Sequence, residues 1–237
     1  MRILGVDSSG NVASVALVQD DFTVAEYSVN YKKTHSQTLL PMLDEIVKMA
    51  EINLQDIDAI AIAAGPGSFT GLRIGSATVK GLGLALDKPI VSVPTCHALA
   101  YNLCMSDSLV CPIMDARRNQ VYTGVYRFED GNMQVVKNQD AMDICDLIEE
   151  LNHIGKPVIF TGDGVPVFKK TIDEKLSCEH TYAPAHLNRQ RAGAVATLGM
   201  RYYAQGVYET ADEHKPVYLR KSQAEREREE KMAEQNA

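Results

Sequence analysis

Apolar residues in this chain fall in short runs broken by glycine-rich turns, and their spacing switches between the periods of strand and helix. Residues 2–7 and 11–18 read as strands, and a third follows at 22–31. From Thr34 to Glu51 the spacing is helical, with Thr34 or Ser36 as cap and Pro41 tolerable only in or near the first turn. Asp58–Ala64 reads as a buried strand, and Leu72–Leu86 is long enough for a helix of about four turns. A short strand at Ile90–Val93 and a helix over Pro94–Cys104 follow. The pattern restarts near 105–109. Leu109–Met114, Val121–Tyr126 and Met133–Lys137 read as strands. A helix at about 140–151, a strand at 157–161, the turn Gly162-Asp-Gly164 and helices near 165–176 and 189–205 complete it.

Each half thus opens with three antiparallel strands and then alternates helix and strand. The duplication is one of element order, with no residue-level repeat. Two β-β-β-α-β-α units predict an α/β chain with the two-lobed actin-like ATPase (ASKHA, ribonuclease H-like) fold. The lobes are expected at 1–104 and 105–222. From 223 the tail is mixed charge without an apolar face, which predicts fraying or disorder.

At 237 residues, 45% of them apolar, the chain can bury a real core. A net charge of −7 argues against broad nucleic-acid binding by this chain alone, though a basic surface could lie on another subunit. No run approaches the ~20 apolar residues of a membrane span, and the N-terminus enters a strand at once, unlike a cleavable signal. The five cysteines are odd in number and never spaced C-x-x-C, as suits reduced thiols in a cytoplasmic protein.

Two turns carry candidate chemistry. Gly65-Pro-Gly-Ser-Phe-Thr-Gly71 lies between a strand and a helix; Gly65 and Gly67 permit close approach, and Ser68 or Thr70 can cap the helix. Such a turn can hold an anion at the helix start, or be a tight turn and nothing more. Asp7-Ser8-Ser9-Gly10 can cradle a phosphate or a hydrated metal, or bond its own backbone. His97 has no second ligand at metal spacing and reads as a packed or surface residue.

The long helices carry the other signal. Leu39, Leu40, Met42, Leu43, Ile46, Val47, Met49 and Ala50 cover about half the helix circumference, more than one sheet needs. More of the same chain or a second protein must cover them, and an apolar stripe of this width favours a partner. The next helix is rich in small residues: Gly71, Gly75, Ser76, Ala77, Gly81 and Gly83. Arg73 and Lys80 share a face with Ala77 between them, either as a solvated edge or as the polar rim of an interface.

The motifs Asp7-Ser-Ser, His35-Ser-Gln-Thr-Leu-Leu-Pro-Met, the glycine stretch 65–75, Asp115-Ala-Arg-Arg-Asn-Gln-Val-Tyr122, Gly162-Asp-Gly and Pro216-Val-Tyr-Leu-Arg220 stand in an order that resembles the TsaB family. These are bacterial tRNA threonylcarbamoyladenosine biosynthesis proteins, and the resemblance runs to about residue 222. It implies a cytoplasmic, non-catalytic sibling of TsaD, the subunit that performs the transfer, and pairing with TsaD through the first two helices of the N-terminal lobe. The partner surface would then comprise His35, Leu39, Met42, Leu43, Ile46, Arg73, Ser76, Ala77 and Lys80. By the same resemblance TsaE would join in a ternary complex, the chain alone would form a homodimer, and tRNA would be met only within the assembly, if at all. Asp7, Ser8, Gly65, Gly67, Ser68, Gly162 and Gly164 would be vestigial nucleotide-cleft turns.

TsaD also carries a His-x-x-x-His pair after the corresponding strand; here Thr95 and Leu99 hold those places, and His97 is out of phase. No catalytic residue, cofactor or metal is therefore expected. Asp115-Ala-Arg-Arg replaces a phosphate-contacting turn, and its Arg117 and Arg118 meet acidic partners or RNA, or pair with nearby carboxylates. Two other readings remain: an independent actin-like ATPase or phosphotransferase resting on the same turns, and a metalloprotease, which lacks His-Glu-x-x-His.

Overall fold

The computed structural model describes residues 1–31 and 34–220, so the expected charged tail lies outside the described residues. Two five-stranded sheets organise it. The first has the order β3-β2-β1-β4-β5, from Arg2–Asp7 (β1), Ala13–Gln19 (β2), Phe22–Val29 (β3), Ala59–Gly65 (β4) and Ile90–Pro94 (β5). The second, β10-β9-β6-β7-β8, is built from Leu109–Asp115 (β6), Gln120–Glu129 (β7), Asn132–Asp143 (β8), Val158–Thr161 (β9) and His180–Tyr182 (β10). In each, the first three strands are antiparallel and the last two join parallel to the first. The duplicated order predicted from the sequence is thus present as two lobes.

Helices α1 (His35–Met49) and α2 (Phe69–Leu86) cover one face of the first sheet. α3 (Thr95–Tyr101) lies between the lobes, and α4 (Ile144–Ile154) and α5 (Val165–Lys175) cover the second sheet. β4 explains how the first sheet is covered twice. Its Ile60 and Ile62 face α1 and α2, whereas Ala59, Ala61 and Ala63 face α6 (Ala192–Ala204). The small side chains let α6 approach closely, so that a Cβ on Gly199 would collide with Ala61.

This placement corrects the expected domain division. The second lobe was expected to run to 222, but α6 packs on the first sheet. Residues beyond it stay there: Glu209 bridges Ile90, and the Val217 amide donates to the Ala64 carbonyl at 2.7 Å. Apolar periodicity predicted the helix but not which sheet it would cover.

Local expectations were also revised. Thr34 is the N-cap of α1, yet neither it nor Ser36 caps through its side chain; the two hydroxyls meet each other at 3.2 Å. Pro41 stands in the second turn of α1, not the first, with its ring exposed to water where the unmade hydrogen bond costs least. β8 runs to Asp143, past the expected end at Lys137, and Asp143 caps α4 by accepting from the Cys145 amide at 2.8 Å.

Candidate functional site

The two candidate turns of the first lobe lie against each other. Asp7 ends β1 and is fully buried. Its Oδ1 accepts from the Ser9 amide at 2.9 Å and from the Ser9 hydroxyl at 2.6 Å, while Oδ2 has no partner. Burial pushes this carboxyl up to about 6; the Ser9 bonds oppose the shift, and the charge of Asp163 adds to it. Ser8 donates to the Gly71 carbonyl at 2.9 Å, and the Ser9 carbonyl accepts from the Ser68 amide at 2.7 Å. Ser68 caps α2 by accepting from the Gly71 amide at 3.2 Å.

What the glycines make room for is this chain's own backbone. A Cβ on Gly65 would strike the Val217 carbonyl oxygen, one on Gly67 the Ser9 carbonyl oxygen, and one on Gly71 the Ser8 carbonyl oxygen. Gly65 is also held at φ +125°, which L side chains rarely adopt. The approaches to the turn therefore carry carbonyl oxygens, which repel an anion.

The opposite wall of the cleft comes from the second lobe. Asp115 ends β6, and its amide donates to Asp163 Oδ1 at 3.3 Å. Burial raises the Asp163 carboxyl, with Asp115 adding its charge. Gly162 and Gly164 bring that turn close against the Ile113 backbone. Arg117 donates its amide to Asp115 at 2.8 Å and holds its exposed guanidinium 3.6 Å from the same carboxylate. The resulting cleft of about 360 Å³ is lined by Ser9, Gly67, Ser68, Asp115, Arg117 and Asp163, among others. The fold implies nucleotide phosphates here, and the lining fits them poorly: its charged side chains are the carboxylates of Asp115 and Asp163 and the guanidinium of Arg117, which already lies 3.6 Å from Asp115.

Thr95 and Leu99 have structural roles. The Thr95 hydroxyl accepts from the Gly65 amide at 3.1 Å, and Leu99 is buried. His97 packs edge-on to Tyr126 and meets the Tyr202 hydroxyl at 3.1 Å; burial lowers its pKa to about 4. Among the described residues no three His, Cys, Asp or Glu side chains are grouped as a metal ion needs.

The residues expected on the partner surface divide. Leu39, Met42, Leu43 and Ile46 are buried in the first lobe's own core with Leu17, Ile60 and Val79, so the chain itself covers them. Ser76 is buried as well, and half-buried His35 meets the Gly10 carbonyl through Nε2 at 2.8 Å. Lys80 donates to the Asp212 and His214 carbonyls at 3.0 and 3.2 Å. Arg73 and Ala77 are exposed, Arg73 lying 4.1 Å over the Phe69 ring.

A wide apolar arc predicted more than one cover, and residue type alone did not say which part was left. The exposed remainder is Leu40 (52% exposed) and, at its C-terminal end, Met49 (76%) on α1, with Thr70, Arg73, Ala77, Gly81 and Leu84 (59%) along α2. The α2 residues recur at three or four positions and form one stripe.

The chain matches the family of TsaD, the tRNA N6-adenosine threonylcarbamoyltransferase, over residues 23–228. It is 37% identical to the tRNA threonylcarbamoyladenosine biosynthesis protein TsaB of Bacillus subtilis, across 95% of this chain and 96% of that protein. A crystal structure from Pseudomonas aeruginosa, described as an uncharacterized protein with similarity to peptidase YEAZ, superposes with a TM-score of 0.78. It is 27% identical and covers 92% of this chain and 99% of its own. Component A of the Acidaminococcus fermentans (R)-2-hydroxyglutaryl-CoA dehydratase superposes at 0.50 with 15% identity, over 86% and 99% of the two chains. That distant likeness bears on the fold alone, and the fold is the two-lobed actin-like one. Identity across nearly the whole of both chains makes this protein a member of the TsaB family of tRNA threonylcarbamoyladenosine biosynthesis proteins, relatives of TsaD.

Proposed function

We propose that this chain is a cytoplasmic, non-catalytic scaffold in threonylcarbamoyl transfer to the adenosine beside the anticodon of tRNAs. It pairs with TsaD and helps recruit TsaE, and without TsaD it pairs with a second copy of itself. The observation that carries the reading is the glycine turn: the close approaches that Gly65, Gly67 and Gly71 permit are filled by the chain's own carbonyls. The glycines at this turn make room for the chain's own backbone, and the cleft beside it is lined by the carboxylates of Asp115 and Asp163. The stripe Ala77, Gly81, Leu84 supports the second half of the reading, because small exposed residues on a helix let another backbone come close.

Ala77→Glu combined with Gly81→Glu tests the pairing without touching the core. The double variant should keep its melting temperature and lose co-purification with TsaD. Intact co-purification would show that the partner sits elsewhere. Appreciable ATP turnover by the purified chain would overturn the non-catalytic half.

A further inference from the structure

Residues 205–220 run from α6 back across the first lobe. After α6 they bridge β5 through paired Ile90–Glu209 amide–carbonyl bonds of 2.9 Å. Glu209 accepts from the Ser92 hydroxyl at 2.6 Å and stands 2.8 Å from His214 Nδ1, so the segment is pinned by side chains as well. Lys80 of α2 then holds two of its carbonyls. Next it crosses the glycine turn, where Val217 donates to Ala64 and sets its own carbonyl against Gly65. The Tyr218 ring stacks on Phe69 at 4.6 Å, beside Arg73. Finally Arg220 reaches the second lobe and donates to the Ala116 carbonyl.

That last contact falls on a turn with an unusual backbone. Arg117, Arg118 and Asn119 follow Ala116 with φ of +66°, +54° and +59°, a run of non-glycine residues in the left-handed region. Such a run is held by its surroundings. The Ala116 amide donates to Gln120 and its carbonyl takes Arg220, so the strap grips the turn at its base. The two rims of the cleft, the glycine turn and the Asp115–Asn119 turn, are therefore tied by one segment.

We propose that residues 205–220 form a latch across the interlobe cleft. The Arg220–Ala116 bond keeps the strap seated on the glycine turn and, together with the bond from Gln139 Nε2 of β8 to the Gly65 carbonyl at 3.2 Å, sets the separation of the two rims, and its release loosens both turns together. This does not depend on α2 docking a partner. Through Lys80 and Phe69 it does connect the cleft to that helix.

Amide hydrogen exchange on the full chain tests the latch. A hydrogen bond from a charged donor to a carbonyl biases such an opening by roughly ten- to a hundred-fold. Arg220→Ala should speed exchange by that order at 67–72 and at 116–120 together, with β1 and β4 unchanged. Arg220→Lys keeps a cationic donor and should restore part of the protection. Tyr218→Ala should speed exchange at 67–72 more than at 116–120. Unchanged exchange at both turns in Arg220→Ala would overturn the proposal. So would an equal rise in β1 and β4, or no recovery with lysine. TsaD co-purification measured on the same variants reports on the docking reading separately.

Discussion

The two lobes share one plan, and they differ in what their helices leave uncovered. In the second lobe α4 and α5 are 11 residues each. Ile144, Leu147, Ile148 and Leu151 of α4 are buried, and Asp146, Glu149 and Glu150 face water, as on a helix that one sheet satisfies. In the first lobe α1 and α2 run to 15 and 18 residues. They bury as full an apolar face and still expose Leu40, Ala77, Gly81 and Leu84. The paired turns differ in the same sense. Asp7-Ser-Ser is sewn to the glycine turn by its own hydroxyls and carbonyls, whereas Asp115-Ala-Arg-Arg leaves Arg117 in solvent. The second lobe's helices leave isolated apolar residues in water, Ile154 on α4 and Val167 on α5, whereas the first lobe's leave Ala77, Gly81 and Leu84 in a row along α2.

The comparison breaks first if the buried face of α1 is not core. Leu39→Asp places a carboxylate among Leu17, Ile60 and Val79, and should cost at least about 4 kcal/mol. Leu147→Asp in α4 should cost as much. Thermal unfolding by circular dichroism checks both; a folded, stable Leu39→Asp chain would return that residue to the partner surface. Next in size is Gly65→Ala, where positive φ and the Val217 carbonyl act together, at about 2–4 kcal/mol. Gly131→Ala is the control, since its φ is also positive but nothing lies within 4 Å of the added Cβ. It should cost about 1 kcal/mol. Equal costs would mean that Val217 is not seated on the turn.

Much of this was legible in the residues, for reasons that also mark where legibility stopped. Strand and helix periods are local, so the strands at 2–18 or 109–126 and the helices that follow could be read without knowing what packs on them. The glycine stretch announced close approach, but residue type cannot say whether a phosphate or a carbonyl comes close, and the occupant Val217 lies far along the chain. Burial of Leu39, Met42, Leu43 and Ile46 depended on the width of the sheet, a tertiary quantity. Glu26 was missed altogether. It pairs with Arg191 and accepts from the Gly193 amide at 3.0 Å, anchoring the start of α6, and neither residue type nor spacing joins positions so far apart. Thr95 was noticed for what it is not, and its bond to the Gly65 amide emerged only in three dimensions.

The carboxyl at the first lobe's closed turn gives a pH test of that closure. Asp7 titrates near 6 when folded, against a usual 3.8. The folded state therefore binds its proton more tightly than the unfolded state, and stability falls as pH rises through about 4 to 6, then levels. The loss is about 2–3 kcal/mol if the carboxyl stays dry. Asp7→Asn keeps an acceptor for Ser9 and cannot ionise, so it should raise the melting temperature at pH 8 and change it little at pH 4. An equal effect at both values would mean that water reaches Oδ2 and the turn is open.

The smallest effect sharpens the contrast most. Gly71 and Gly75 of α2 cannot take a side chain, because Ser8 occupies the space, and Gly83 lies against Ala211. Around Gly81 nothing lies within 4 Å, its backbone is helical and it is exposed. The fold of the single chain gives no reason for glycine there, and α4 and α5 carry no glycine at all. Gly81→Ala should therefore stabilise the isolated chain by about 0.5–1 kcal/mol through helix propensity and a less flexible unfolded state. The same methyl group stands where a docked helix would come closest, so pairing with TsaD should weaken while the chain itself melts later. Opposite signs in the two measurements are what a docking stripe demands. A later melt with undiminished pairing would leave Gly81 outside the contact and move the partner toward Leu40 or Arg73.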